Sequence, residues 1–158
     1  MAVKNSTTFT HMVEWPNLSL AKLSANTPNA IVGGPFGSDL TSKDYTAIGI
    51  PVIRGQNMGG HFVSGDFVFV SHAKAKKLQA NIARPGDVIF TQRGTLGQVS
   101  IVPHFSYQGF LISQSQMKIS LEGTRVASEY VYQYFISTNG QKQILDSAIQ
   151  RSIRLYRG

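Results

Sequence analysis

Between Arg84 and Val102 the chain reads R-P-G-D-V-I-F-T-Q-R-G-T-L-G-Q-V-S-I-V, and no other stretch narrows the fold as much. Pro85 and Gly86 supply a turn that launches a short apolar strand ending on Gln92 and Arg93. The chain then reverses through Gly94, Thr95, Leu96 and Gly97 and returns from Gln98 to Val102. The pattern predicts a β-hairpin with a polar, hydrogen-bond-rich tip. Arg93, with Gln92, Thr95 and Gln98 beside it, carries donors that suit the acceptor edges of guanine and adenine in a major groove. No residue of the tip is acidic. The hairpin suggests a reader of nucleic acid more than an enzyme site.

Charge supports a polyanionic partner without requiring one. Charged residues make up 15% of the 158, with 15 Lys and Arg against 8 Asp and Glu, a formal net charge of +7. The usual charged share is about 25%, and the shortage falls on the acids. From Phe67 to Met117 the bases are Lys74, Lys76, Lys77, Arg84 and Arg93, and the one acid is Asp87. Such a surface suits phosphates, although a solvated basic face would carry the same residues. With no cysteine, disulfides, thiolate zinc sites, iron–sulfur clusters and a cysteine nucleophile are excluded. No secretory signal and no apolar run of membrane-spanning length is visible, so a cytoplasmic protein is expected.

The rest of the chain reads as a mostly β body with one inserted helix and a helical pair at its end, an α+β class. Residues 1–12 are expected to be a disordered arm. Residues 15–25, with Trp15, Leu18, Leu20 and Leu23, suggest a short strand leading into a helical turn. Gly33 to Ser38 reads as a loop, and Gly49 to Arg54 as a strand whose Pro51 suits an edge or first position. Phe67 to Val70 is a strand, and Ser71 to Gln79 a helix with Ser71 as N-cap. Gly109 to Ser120 is another strand region. Ser128 to Ser137 is a helix with a Val131, Tyr134, Phe135, Thr138 stripe. Thr138 to Gln141 resembles a capping box for a last helix, whose apolar face is Ile144, Leu145, Ala148 and Ile149.

Catalytic groups are hard to find. The glycines at 33, 34 and 37 include Pro35 and lack the strand–helix frame of a nucleotide cradle. Asp39, Asp44, Asp66 and Asp87 show no metal-ligand spacing, and neither do His11, His61, His72 and His104. Asp87 is expected to close its own turn through nearby amides. Neither a catalytic site, a metal nor a cofactor is expected.

The candidates for base contact are Arg93, Gln92, Thr95 and Gln98 at the hairpin, Arg54, Gln56 and Asn57 after a strand, and Gln114 in the polar run from Ser113 to Gln116. Lys74, Lys76, Lys77 and Lys43 are candidates for phosphates, since flexible ammonium groups position better than they discriminate. Each has a plainer reading, as a loop-bonding or solvated residue.

Several short motifs in order resemble one family. They are Trp15 with Leu18 and Leu23; Gly34 to Leu40; Gly49 to Arg54 followed by Gln56 and Asn57; Pro85 to Phe90 with Arg93-Gly94-Thr95-x-Gly97; and the helices from Tyr130 to Ser137 and Gly140 to Ile149. Across residues 13 to 155 they resemble a target-recognition domain from the DNA-specificity subunit of type I restriction–modification systems. The resemblance implies a non-catalytic domain, residues 13–158, that binds double-stranded DNA and reads one half of a bipartite site. It also implies partnership with a methyltransferase subunit and, through it, a restriction subunit, with a second recognition domain or a homodimer for the other half-site. The sequence stops before any long heptad helix of the kind that separates the family's two domains. Two alternatives stand beside it: a recognition domain cut from a single-chain restriction–modification enzyme, and a basic β-rich module binding RNA or protein.

Overall fold

The computed structural model of the protein describes residues 17–104 and 107–155, with side chains described as far as residue 147. The expected arm at 1–12 and Trp15 lie outside the described residues, as do the side chains of Ala148 and Ile149.

The fold is α+β, built on two sheets. One has four strands: β1 (Ile31–Gly33), β6 (Val88–Thr91), β7 (Val99–Ile101) and β9 (Gln116–Ile119), in the order β1-β9-β6-β7 and antiparallel throughout. The other has five: β2 (Tyr45–Thr46), β3 (Ile50–Ile53), β4 (Val68–Val70), β5 (Ile82–Ala83) and β8 (Phe110–Ile112), in the order β2-β4-β3-β8-β5. Only its β3–β8 pair is parallel. The helices are α1 (Leu20–Leu23), α2 (His72–Lys77), α3 (Ser128–Ile136) and α4 (Thr138–Leu155).

Side-chain alternation assigns the faces. Val88 and Phe90 of β6 join Val99, Ile119, Val131 and Phe135 in a cluster under α3, while Ile89 between them joins Ile53, Phe110 and Ile112 in the core between the sheets. Val52 and Leu111 point the other way, to Ala75 of α2. Both faces of each sheet are therefore covered, which is why all four residues of β6 are buried. The predicted hairpin is present as β6 and β7, with Val88 opposite Ile101 and Phe90 opposite Val99.

Several expectations are corrected. Among the described residues, 17–19 are irregular, and the helical turn α1 is followed by Ser24, which makes an isolated antiparallel bridge to Leu121. The glycine loop begins one residue late, because Ile31–Gly33 is a strand paired with β9. Gly34 must still be glycine: a Cβ there would lie 1.9 Å from the Ser113 carbonyl oxygen. β3 is central and not an edge; it accommodates Pro51 because the parallel pairing with β8 starts only at Val52. Gly109 to Ser120 is two strands in different sheets, with the crossing at Ser113 to Ser115. On α3, Val131 and Phe135 are buried, whereas Tyr134 is exposed, and Thr138 lies beyond α3 as the exposed first residue of α4. The cap of α4 is Ser137, whose Oγ accepts from the Gly140 amide at 3.3 Å, in place of a box at Thr138. Ser71 does cap α2, accepting from the Lys74 amide at 3.1 Å.

Candidate nucleic-acid interface

The antiparallel pairing of β1 and β6 with β9, and the parallel pairing of β3 with β8, make β1, β3, β6 and β8 release their chains into one rim of loops. The rim comprises Gly34 to Leu40, Arg54 to Met58, Gln92 to Gln98 and Ser113 to Ser115. Hydrogen bonds join all four. Gln98 accepts from Thr91 Oγ1 at 3.0 Å and donates to the Gly55 carbonyl at 3.3 Å, tying the hairpin to the end of β3. Gln92 donates through its backbone to Ser115 at 2.8 Å and through Nε2 to the Gln114 carbonyl at 3.1 Å. Gln114 Nε2 in turn reaches the carbonyls of Gly37 (2.6 Å) and Leu40 (2.7 Å).

The hairpin tip is also held from behind by α4. Gln141 Nε2 donates to the Gly97 carbonyl at 2.8 Å and to the Phe135 carbonyl at 2.7 Å. Gly97 has a φ of 94°, and a Cβ on it would meet Gln141 Oε1 at 2.5 Å. The backbone conformation requires glycine there, and a larger residue would also push the Gln141 amide from its place.

These bonds sort the candidate residues. Asn57 is buried; its Oδ1 accepts from the Arg54 amide at 3.0 Å, and its Nδ2 donates to the carbonyls of Ser64 and Asp66 at 3.0 Å each. Its amide is spent on the turn after β3 and presents nothing to a base. Gln98 and Gln114 are half-buried and occupied by the bonds between loops, and Gln92 partly so. Gln116 is fully buried; with its amide nitrogen donating to Ser113 Oγ and turned toward the Ile53 carbonyl, its oxygen accepts from the Gly55 amide at 3.3 Å.

Arg93 and Thr95 are exposed, and among the described residues the Arg93 guanidinium has no acceptor. Gln56 is exposed beside them, with one bond to the Asp66 carbonyl at 3.2 Å. Arg54 is half-buried, and its Nε is enclosed without an acceptor. The free polar groups of the rim are thus Arg93, Thr95, Gln56 and part of Arg54. Phe36, which the sequence pattern does not single out, stands 79% exposed on the first loop. Asp39 and Asp66 are exposed at the margins, so freedom from acids holds for the hairpin tip alone.

The lysines lie elsewhere. Val70 pairs with Ile50, so α2 starts beside the beginning of β3, at the end opposite Arg54. Lys74 is half-buried in an ion pair with Asp44 at 2.9 Å. That hydrogen bond, with a second from the Thr41 amide, holds the Asp44 carboxyl down at about 2. Lys76, Lys77 and Lys43 are exposed. Sequence reasoning could not separate these lysines from the rim, because the separation comes from strand register. Asp87 closes its turn as expected, accepting from the Arg84 amide at 2.9 Å. His61 pairs with Glu129 at 2.5 Å, and among the described residues no three acids or histidines form a metal-binding group.

No protein-family model matches the sequence, and no curated protein matches it. The fold does match solved structures. It is similar to the HsdS subunit from Thermoanaerobacter tengcongensis, with a TM-score of 0.52 and 16% identity over 89% of this chain and 38% of that one. A chain from a structure of the assembly and conformational transition of the type I R-M system gives a TM-score of 0.49 and 18% identity, over 66% of this chain and 24% of that one. The protein therefore spans well under half the length of either. Its fold is that of part of the HsdS subunit. No described helix is long and apolar enough to cross a membrane.

Proposed function

We propose that this chain is a sequence-specific reader of double-stranded DNA, the target-recognition part of a type I restriction–modification specificity subunit, and that the loop rim is its DNA face. One observation carries the reading: an acid-free hairpin tip presents an unpaired arginine from a backbone fixed on three sides by glutamine amides. A guanidinium fork on fixed backbone can match one pattern of base acceptors and reject others. Arg93, Thr95, Gln56 and Arg54 are the proposed base-reading groups.

The domain would read one half of a bipartite site, with a second recognition domain or a second copy for the other. It would direct a methyltransferase subunit and, through it, a restriction subunit, without catalysis of its own. Selection of bound duplexes from a random library at fixed salt tests the reading. A consensus of a few base pairs is expected; RNA binding with no duplex preference would overturn it.

A further inference from the structure

Away from the rim, Pro28, Asn29, Gln79, Ala80, Ile82, Arg84 and Lys118 line a cleft of about 320 Å³. Lys118 occupies an unusual place for a lysine. It lies within β9, flanked by Val32 of β1 and Ile89 of β6, and is 7% exposed. An ammonium group has three donors to satisfy. Among the described residues its one polar partner is Asp87, whose Oδ2 is 3.8 Å from Nζ, beyond ordinary hydrogen-bond length.

Asp87 does not line the cleft. It is buried behind Lys118, where its Oδ2 accepts from the Arg84 amide. The charged side chains facing the opening are thus two cations, Arg84 and Lys118, accompanied by the amides of Asn29 and Gln79. A buried ammonium held at a distance from its counter-ion, beside a guanidinium, is a costly arrangement without a further anion.

We propose that this cleft is a binding site for a phosphate group, gripped by Lys118 and Arg84 and oriented by Gln79 and Asn29. A phosphate offers more acceptor oxygens than a carboxylate, and four donor side chains can use them. The electrostatics agree. Burial pushes the Lys118 ammonium below its ordinary range, the Asp87 charge opposing the shift and the Arg84 charge adding to it, and burial pushes the Asp87 carboxyl up. An anion between the two cations would relieve the strain on Lys118. The inference does not rest on the DNA reading, since a free phosphate compound and a nucleic-acid backbone present the same chemistry.

The test is titration of the full chain with inorganic phosphate at constant ionic strength, chloride being the balancing anion. Calorimetry and the thermal unfolding midpoint are the readouts. Saturable binding with a rise in the midpoint is expected. Arg84→Gln, at an exposed position, should weaken it about tenfold, the equivalent of one charge-assisted hydrogen bond. Lys118→Met combined with Asp87→Asn should abolish it without leaving a buried carboxylate unpaired. No saturable response beyond that to chloride, or a response that both variants keep, overturns the proposal. A duplex titration of Arg84→Gln then separates the sources. A salt slope lowered by about 0.9 assigns the site to a backbone phosphate, and unchanged duplex binding beside weakened phosphate binding assigns it to a free phosphate compound.

Discussion

At the loop rim, Arg93 and Thr95 stand on backbone held by the amides of Gln92, Gln98, Gln114 and Gln141, whereas Lys76 and Lys77 stand on a six-residue helix whose other lysine is tied to Asp44. The two regions carry the same sign of charge on opposite kinds of support. A donor on fixed backbone has less freedom to lose on binding and can be aimed at one base pattern. A long ammonium on a short helix finds any phosphate and discriminates little. If the rim is the DNA face proposed above, the contrast teaches that neutral amides set the precision and cations set the attraction.

The largest effect should come from removing the support. Gly34→Ala would drive a methyl against the Ser113 carbonyl and should cost about 3 kcal/mol of stability, the upper end for overpacking. Denaturant unfolding measures this, and duplex selectivity should fall with it because two rim loops move apart. Stability within about 0.5 kcal/mol of the parent would show that the loops are not locked together.

Next comes Arg93→Ala. It should leave stability unchanged, cost about 1–3 kcal/mol on the preferred duplex and relax selectivity at one position. A folded variant with the same affinity and consensus would make the tip scaffold and move base reading to Arg54 and Gln56. Replacing Lys76 and Lys77 with alanine should act differently, weakening all duplexes alike. It should also flatten the salt dependence by about 0.9 for each phosphate that is no longer neutralised. An unchanged slope would confine the DNA to the rim.

The hairpin was legible in the sequence because its signals are local: a Pro85-Gly86 turn, an apolar run into Gln92, and a glycine-framed reversal before Gln98. So was the Ser71 cap, which needs only the three following residues. β1 was not legible, since three residues ending in glycine carry no periodicity and gain their pairing from β9, far along the chain. The division of labour among the polar residues was hidden for the same reason. Gln98 and Gln114 have the chemistry of base readers, and only the meeting of loops from two sheets turns them inward as ties. The Lys118 cleft was invisible, because a lysine within a strand is ordinarily read as solvent-facing.

The smallest effect concerns the ion pair that anchors the lysine side of the comparison. Lys74 and the Thr41 amide hold the Asp44 carboxyl at about 2, against an ordinary value of 3.8. The folded state thus prefers the carboxylate more than the unfolded state does. Its contribution to stability is complete above the ordinary value and is lost as pH falls toward and through about 2. The pair is only half-buried, so solvent screens it, the effect is small and it should shrink further in high salt. Lys74→Met should remove most of this pH dependence and leave stability near neutral pH little changed. The check is the denaturation midpoint of both proteins from about pH 5 downward, at low and high salt. If parent and variant lose stability in parallel, the pair does not anchor α2, and the lysine face is looser still than its ion pair suggests.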